Sequence, residues 1–133
     1  MLISSTIAQT LHTQFLFNHF FYLNAHAASI VSFFDKKDGP SILLNCVEAS
    51  EGNYVSGYCA PFAGIECTLS TDVSVFVKNV LTELAEKNAK SITVKQAPEC
   101  YQPNVCNAIH ETFIANGFVE QVREINQYII VDP

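Results

Sequence analysis

Basic residues are scarce in this chain of 133 residues. Lysine and arginine number 7 against 13 aspartates and glutamates, the formal net charge is −6, and Arg123 is the only arginine. A nucleic-acid groove normally needs a clustered basic face that displaces counterions from the phosphates. A polybasic patch on a membrane-binding protein needs a similar cluster. The composition therefore argues against both nucleic acid and an anionic membrane surface as partners.

The chain also lacks the short motifs that hold phosphates or activate a serine. Its 5 glycines form no G-x-G arrangement, so no glycine-rich phosphate loop is present. No G-x-S-x-G turn occurs either. The nearest approach to a nucleophile with a base is Cys106, four residues before His110, and we interpret that pair as a structural thiol beside a solvated histidine.

Metal-ligand spacings are missing as well. The 5 cysteines include no C-x-x-C pair, which zinc knuckles and thioredoxin-like motifs require. His12, His19 and His26 are seven residues apart, about 10.5 Å along a helix, which is too far for adjacent rings to share one ion. We therefore expect no metal site, and reduced structural thiols in a cytoplasmic protein.

An apolar stretch rich in Phe and Leu covers residues 11–23, but polar side chains such as His12, Asn18 and His19 interrupt it. A membrane span needs about 20 nearly uninterrupted apolar residues. The first lysine is Lys36, so the basic start of a secretory signal is also missing. We expect no stable membrane span and interpret the stretch as a buried or dimer-facing helix.

The chain does have the composition of one folded domain. Hydrophobic residues make up 49% and charged residues 15%, which excludes a disordered chain. We predict a single domain, residues 1–133, with a helical N-terminal segment (1–27), a β-meander (28–66) and an α-β-α-β-β unit (67–133). The predicted fold class is α/β, with a mixed, mainly antiparallel sheet flanked by helices.

Strand and turn signals define the meander. Residues 29–35, 41–49 and 53–60 are rich in β-branched and aromatic side chains. The segments between them contain Asp-Gly and Glu-Gly, which are typical of turns between antiparallel strands.

Helical spacing is clearest in residues 73–84, where apolar residues recur at intervals of three and four. We expect this helix to end near Lys87-Asn88, because Asn is favoured just past a helix end. A strand at 91–96 and a helix from Pro103 to Gly117 follow. Two closing strands are predicted at 118–124 and 127–132.

Two segments carry more specific information. Pro61-Phe62-Ala63-Gly64-Ile65 places proline and glycine inside a strand-like stretch, which favours a bulge or a close backbone approach. Ile92-Thr93-Val94-Lys95-Gln96-Ala97-Pro98-Glu99-Cys100-Tyr101 delivers proline and tyrosine at the end of a strand, where open α/β sheets bind ligands.

With this element order, the two segments resemble the GNAT acyl-CoA N-acyltransferase superfamily, and within it the FemAB-like proteins. Gly117-Phe118 and Asn126-Gln127-Tyr128-Ile129-Ile130 match further short motifs of that branch. The resemblance covers about residues 28–132 and implies a GNAT-like fold. FemAB-like proteins join two GNAT-like halves, and this chain has the length of one half.

The resemblance also identifies where a cofactor would bind. In the family, backbone amides at the start of the central helix bind the pyrophosphate of coenzyme A, in a pattern like Q/R-x-x-G-x-G/A. The matching stretch, residues 66–72, contains no glycine, no basic residue and two carboxylates. We therefore expect no cofactor; Ser70 and Thr71 would contact acetyl-CoA only if it bound.

Three functions remain open. The first is a GNAT-like binding or assembly module that does not use acetyl-CoA in the usual way. The second is an acyl- or aminoacyltransferase that works with a second domain or subunit. The resemblance then implies Glu66 as general base and Tyr101 as proton donor, with Phe62, Gly64 and Gln96 contacting substrate. The third is a structural homodimer built on the N-terminal helix.

Overall fold

The computed structural model of the chain describes residues 2–6, 16–18, 23, 29–35, 41–67 and 73–121. These residues form a mixed α/β structure in which helices pack on a mostly antiparallel sheet of six strands. The predicted α/β class and the mainly antiparallel sheet are thereby confirmed.

The strands follow one another as β1 (Leu2–Ser5), β2 (Ile30–Asp35), β3 (Ile42–Ser50), β4 (Asn53–Ser56), β5 (Ile65–Cys67) and β6 (Ser91–Val94). Their order in the sheet is β1-β2-β3-β4-β6, with β5 paired to β3. The predicted meander is β2-β3-β4, and its neighbours pair antiparallel. Only β4 and β6 pair in parallel.

The prediction that residues 1–27 form a helical segment was wrong at its start. Residues 2–5 form β1, which pairs antiparallel with β2 from Leu2 opposite Asp35 to Ser5 opposite Ser32. Residues 7–15, which the same prediction placed in the helical segment, lie outside the described residues. Residues 2–5 instead form a short strand, because pairing with β2 satisfies backbone groups that would otherwise need water.

Two α-helices in the described part of the chain are α1 (Val73–Glu86), as the spacing predicted, and α2 (Cys106–Ala115), which begins three residues after its predicted start at Pro103. Both end in the same hydrogen-bonded turn. After α1, Ala89 donates to the Leu84 carbonyl at 2.9 Å, and Asn88 takes a left-handed φ of 58°. After α2, Gly117 takes a φ of 86°. Asn and Gly tolerate this conformation best, so the predicted helix ends are confirmed.

The turn after α2 also explains a wrong prediction. Residues 118–121, expected to begin a closing strand, have no regular secondary structure, and residues 122–133 lie outside the described part. Phe118 instead caps α2: its N–H donates to the Phe113 carbonyl at 3.0 Å, and the two rings lie 4.7 Å apart. This contact between the end of a helix and the residue beyond it is typical of the Schellman motif.

The main core lies between the two helices and one face of the sheet. Its most deeply buried members include Phe33 of β2, Leu44 of β3, Ile65 of β5, Val80 of α1 and Ile109 of α2. Because side chains alternate along a strand, Leu43, Asn45 and Val47 of β3 point to the opposite face of the sheet.

Thiol reactivity offers a direct check of this core. Cys46 is fully buried, and burial raises its pKa to about 12, whereas Cys59 is exposed. A thiol with so high a pKa has about a thousandfold smaller thiolate fraction at pH 8 than an ordinary cysteine. We expect an aromatic disulfide reagent at pH 8 to label Cys59 in the folded protein and Cys46 only after unfolding, as read by peptide mass. Rapid labelling of Cys46 in folded Cys59→Ser protein would contradict this packing.

Candidate functional site

The strands β4 and β5 are two halves of one interrupted strand. Both pair with the same edge of β3, since the other edge is occupied by β2: Val47 lies opposite Val55 of β4, and Leu44 lies opposite Ile65 of β5. Residues 57–64 leave the sheet between these halves. We call residues 57–64 the β4–β5 break.

Left-handed backbone conformations shape this break. Gly57 has φ 93°, Cys59 has φ 53° and Gly64 has φ 77°. The returning chain is anchored twice: the Gly64 N–H donates to the Ser56 hydroxyl at 2.9 Å, and the Ala63 N–H donates to the Lys95 carbonyl at 2.7 Å. The break thus brings its last residues against the chain that follows β6.

Two glutamine side chains cover the outer edge of β5. The Gln96 amide oxygen accepts from the Ile65 N–H at 2.8 Å, and its Nε2 donates to the Ile65 carbonyl at 3.0 Å. Gln102 Nε2 donates to the same carbonyl at 2.6 Å, and its oxygen accepts from the Cys67 N–H at 3.1 Å. The two side chains therefore bond to β5 as a neighbouring strand would.

Gly64 is required at the point where Gln96 crosses the break. A Cβ on Gly64 would collide with the Gln96 amide oxygen and would lie 2.9 Å from the Gln96 Cα. The Ala63–Gln96 bridge continues the parallel pairing of β4 with β6 up to this contact. The absence of a side chain at position 64 thus lets the Gln96 amide reach Ile65.

An aromatic cluster borders the break on its solvent side. Phe62 contacts Tyr101 with ring centroids 4.8 Å apart, and it contacts Phe17 edge-on at 5.2 Å. Tyr101 is 55% exposed, in the short 3-10 turn Glu99–Tyr101 that follows Pro98. These rings offer a partly solvated apolar surface with one phenol hydroxyl.

Glu66 belongs to the opposite side of β5. Ile65 and Cys67 pack into the main core, so the intervening Glu66 points to the other face of the sheet. It is 1% exposed. A carboxylate at that depth is shielded from solvent, unlike the exposed Tyr101 ring.

Four of the predicted site residues are brought together by the structure: Phe62 with Tyr101, and Gly64 with Gln96. Glu66 follows the same strand on its other face. Ser70 and Thr71 lie outside the described residues. The roles assigned to all of these residues in binding or catalysis stay predictions.

Sequence reasoning missed Gln102 and Ser56. Gln102 lies 37 residues from Ile65, to whose carbonyl it donates. Ser56 lies 8 residues from Gly64, whose N–H donates to the Ser56 hydroxyl. No local pattern marks such contacts, because a glutamine in a turn and a serine at the end of a strand are both ordinary in composition. The proline and glycine of residues 61–64 were the usable signal, since they indicated an irregular strand.

The Cys106–His110 pair has none of the features of an activated thiol. Burial, and then the nearby charge of Glu99, raise the pKa of Cys106. A catalytic thiol needs the opposite change. His110 instead lies 3.8 Å from a Glu120 carboxylate oxygen.

Metal and membrane signals are also missing from the described residues. No three His, Cys, Asp or Glu side chains among them are grouped as a metal site requires. None of the helices that can be described is long and apolar enough to cross a membrane.

Comparison of the chain with protein-family models, with curated proteins and with solved structures returned no match.

Proposed function

We propose that this chain is a GNAT-like domain that does not bind acetyl-CoA in the usual way and acts as a binding or assembly module. The antiparallel β2-β3-β4 meander, the helix α1 and the strand β6 parallel to β4 support this interpretation, because they occur in the order that the resemblance implies.

The covered edge of β5 is the observation that carries the proposal. An acyl-transfer site that polarises a carbonyl needs N–H donors aimed at the position of the developing oxyanion. On the outer edge of β5 the two N–H groups, of Ile65 and Cys67, already donate to Gln96 and Gln102. A substrate carbonyl would have to displace these side-chain amides first.

Charge supports the same conclusion. The stretch from Glu66 to the start of α1 has two carboxylates and no basic residue. A diphosphate at a helix N-terminus is stabilised by free N–H groups and by positive charge, and nearby carboxylates repel it. We therefore expect the residues that precede α1 to disfavour coenzyme A.

An acyl- or aminoacyltransferase would also need its acid and base to reach one substrate. The candidate base Glu66 is 1% exposed, whereas the candidate acid Tyr101 is 55% exposed. A general base must lie within hydrogen-bond reach of the proton that it removes. The burial of Glu66 therefore favours a binding role, with the Phe62–Tyr101 surface as the contact for a partner.

Calorimetric titration separates the two functions. We expect no heat of binding when acetyl-CoA, coenzyme A or adenosine 3′,5′-bisphosphate is added to the full chain at millimolar concentration. A dissociation constant in the micromolar range for acetyl-CoA would contradict the proposal and favour the transferase. Adenosine 3′,5′-bisphosphate serves as the control that reports nucleotide binding without the acyl-pantetheine arm.

A further inference from the structure

Asn116-Gly117 is the only Asn-Gly sequence in the chain, and it follows directly on the last residue of α2. The backbone nitrogen of a residue that follows asparagine can attack the asparagine side chain. Glycine favours this reaction because it has no side chain to hinder the approach and its backbone is the most permissive. The sequence at the end of α2 is therefore the one in this chain best suited to spontaneous deamidation.

The reaction needs only these two residues and water. The Gly117 nitrogen loses its proton to hydroxide and attacks Cγ of Asn116. The Cγ–Nδ2 bond breaks, and the –NH₂ group takes a proton from water and leaves as ammonia. Water then adds to one of the two carbonyls of the cyclic imide and opens the ring. The product is aspartate or isoaspartate, and no atom is oxidised or reduced.

The folded backbone holds the two reacting atoms apart. The ψ angle of Asn116 is 18°, so the Gly117 nitrogen nearly eclipses the Asn116 nitrogen and lies away from the Asn116 side chain. The imide ring contains two amide groups, which are planar, so ring closure needs the Gly117 nitrogen to eclipse Cβ instead. The backbone between Asn116 and Gly117 must therefore rotate before the ring can close.

Hydrogen bonds to α2 oppose this rotation. Asn116 Nδ2 donates to the Thr112 carbonyl at 2.8 Å. The Gly117 N–H donates to the Ile114 carbonyl at 3.2 Å. The side-chain amide that must leave and the N–H that must lose its proton are thus both bound to the last turn of α2.

The contact between Phe113 and Phe118 keeps that turn in place. The Phe118 N–H donates to the Phe113 carbonyl at 3.0 Å, and the ring centroids lie 4.7 Å apart. Gly117 between them is exposed, and a Cβ there would meet no described atom within 4 Å, so water can reach it. The ends of helices are among the first parts of a protein to unfold locally. Local unfolding at this position would free both reacting groups.

We infer that Asn116-Gly117 is a deamidation site that the folded end of α2 protects, and that the modification keeps this end unfolded once it has occurred. The new carboxylate has no N–H for the Thr112 carbonyl, and it adds negative charge at a helix C-terminus, where the helix dipole disfavours it. Isoaspartate also lengthens the backbone by one methylene group, which displaces Phe118 from Phe113. A transient unfolding of the last turn thereby becomes a permanent change in the chain.

Incubation of the full chain at pH 9, followed by peptide mass, tests the site. We expect Asn116 to react at least about tenfold more slowly in the folded chain than in urea above the unfolding midpoint, because the folded chain must first open. Asn88 is the internal control, since it is exposed and follows α1 but precedes alanine. In urea, Asn116 should react at least about tenfold faster than Asn88. Equal rates in either comparison would overturn the proposal.

Two variants test whether the Phe113–Phe118 contact protects the site. Phe118→Ala removes one of the two rings, so Asn116 should react about threefold faster or more in the folded variant. Val119→Ala is the matched control, because Val119 is 83% exposed, and it should leave the rate unchanged. Equal rates in the two folded variants would refute the role of the contact.

Hydrogen exchange on the unmodified chain keeps the test valid if Phe118→Ala does not fold. Urea below the unfolding midpoint should accelerate exchange of the Phe118 amide and deamidation of Asn116 by the same factor, because both require the same opening. Deamidation that does not follow this exchange would contradict the inference that the end of α2 protects Asn116.

Asn116→Asp reproduces one product of the reaction and tests its consequence. Exchange of the Phe118 amide should be about fivefold faster in this variant, from the lost hydrogen bond and the helix dipole together. Asn107→Asp is the control, because it makes the same change of charge in the first turn of α2, where the dipole favours it. Unchanged exchange in Asn116→Asp would show that the modification does not keep the end of α2 unfolded.

Discussion

Replacement of Gly64 by alanine should lower the free energy of unfolding by about 3 kcal/mol or more. The left-handed φ of 77° disfavours any side chain, at a cost of about 1–2 kcal/mol. The new Cβ would also collide with the Gln96 side chain, and overpacking of this kind costs about 1–3 kcal/mol. Relief of the collision would require Gln96 to leave Ile65, so the edge of β5 would lose two hydrogen bonds.

Gly117→Ala is the matched control for this prediction. Gly117 has a similar φ of 86°, but a Cβ there would meet nothing within 4 Å. Its substitution should cost about 1–2 kcal/mol, from backbone strain alone. Urea unfolding of the two variants and the unmodified chain measures the difference. Equal losses would show that the Gly64–Gln96 contact contributes nothing to stability.

The helices and their ends were predictable because their signals are local. The apolar spacing of α1 lies within 14 residues, and Asn88 and Gly117 are favoured at helix ends for a conformational reason. The meander was predictable for a similar reason, since its strands are adjacent in sequence and joined by turns. These patterns predicted the α/β class and the position of α1 in the order of elements.

The covering of the outer edge of β5 by Gln96 and Gln102 could not be predicted from the sequence. The segment from Pro61 to Ile65 showed that the strand is irregular, but the Gln96 contact joins residues 31 positions apart. Gln96 was predicted to contact substrate; its two hydrogen bonds to Ile65 give it a structural role, and contact with substrate is untested. Such a role depends on where β6 ends and on Gly64 having no side chain, and neither can be read from a local pattern.

The errors at the two ends of the chain have a similar origin. Residues 2–5 are too few to define a period, so pairing with β2 decided their structure. Phe118 has a strand-like side chain, yet its contact with Phe113 closes the end of α2. In both cases tertiary contacts outweighed the intrinsic preference of short segments.

Gln96→Glu should destabilise the protein by about 2 kcal/mol at pH 7, because it places a carboxylate oxygen against the Ile65 carbonyl in place of the Nε2 donor. The new carboxyl can donate to that carbonyl only when it is protonated. Its pKa in the folded state should therefore rise above the ordinary glutamate value of about 4.3. The destabilisation is then complete above the folded pKa, and it declines to nearly zero as the pH falls below about 4.

Urea unfolding of Gln96→Glu and the unmodified chain at pH 7, 5.5 and 4 measures this dependence. Gln121→Glu is the control, because Gln121 is exposed and the same change of charge there should cost little at any of these pH values. A Gln96→Glu variant as stable as the Gln121→Glu control at pH 7 would mean that the donor to Ile65 is dispensable. A loss that does not diminish toward pH 4 would show that it does not arise from the ionised carboxyl. If the Gln96 donor is dispensable, the Gln102 amide, which also donates to the Ile65 carbonyl, is the side chain that mainly covers the edge of β5.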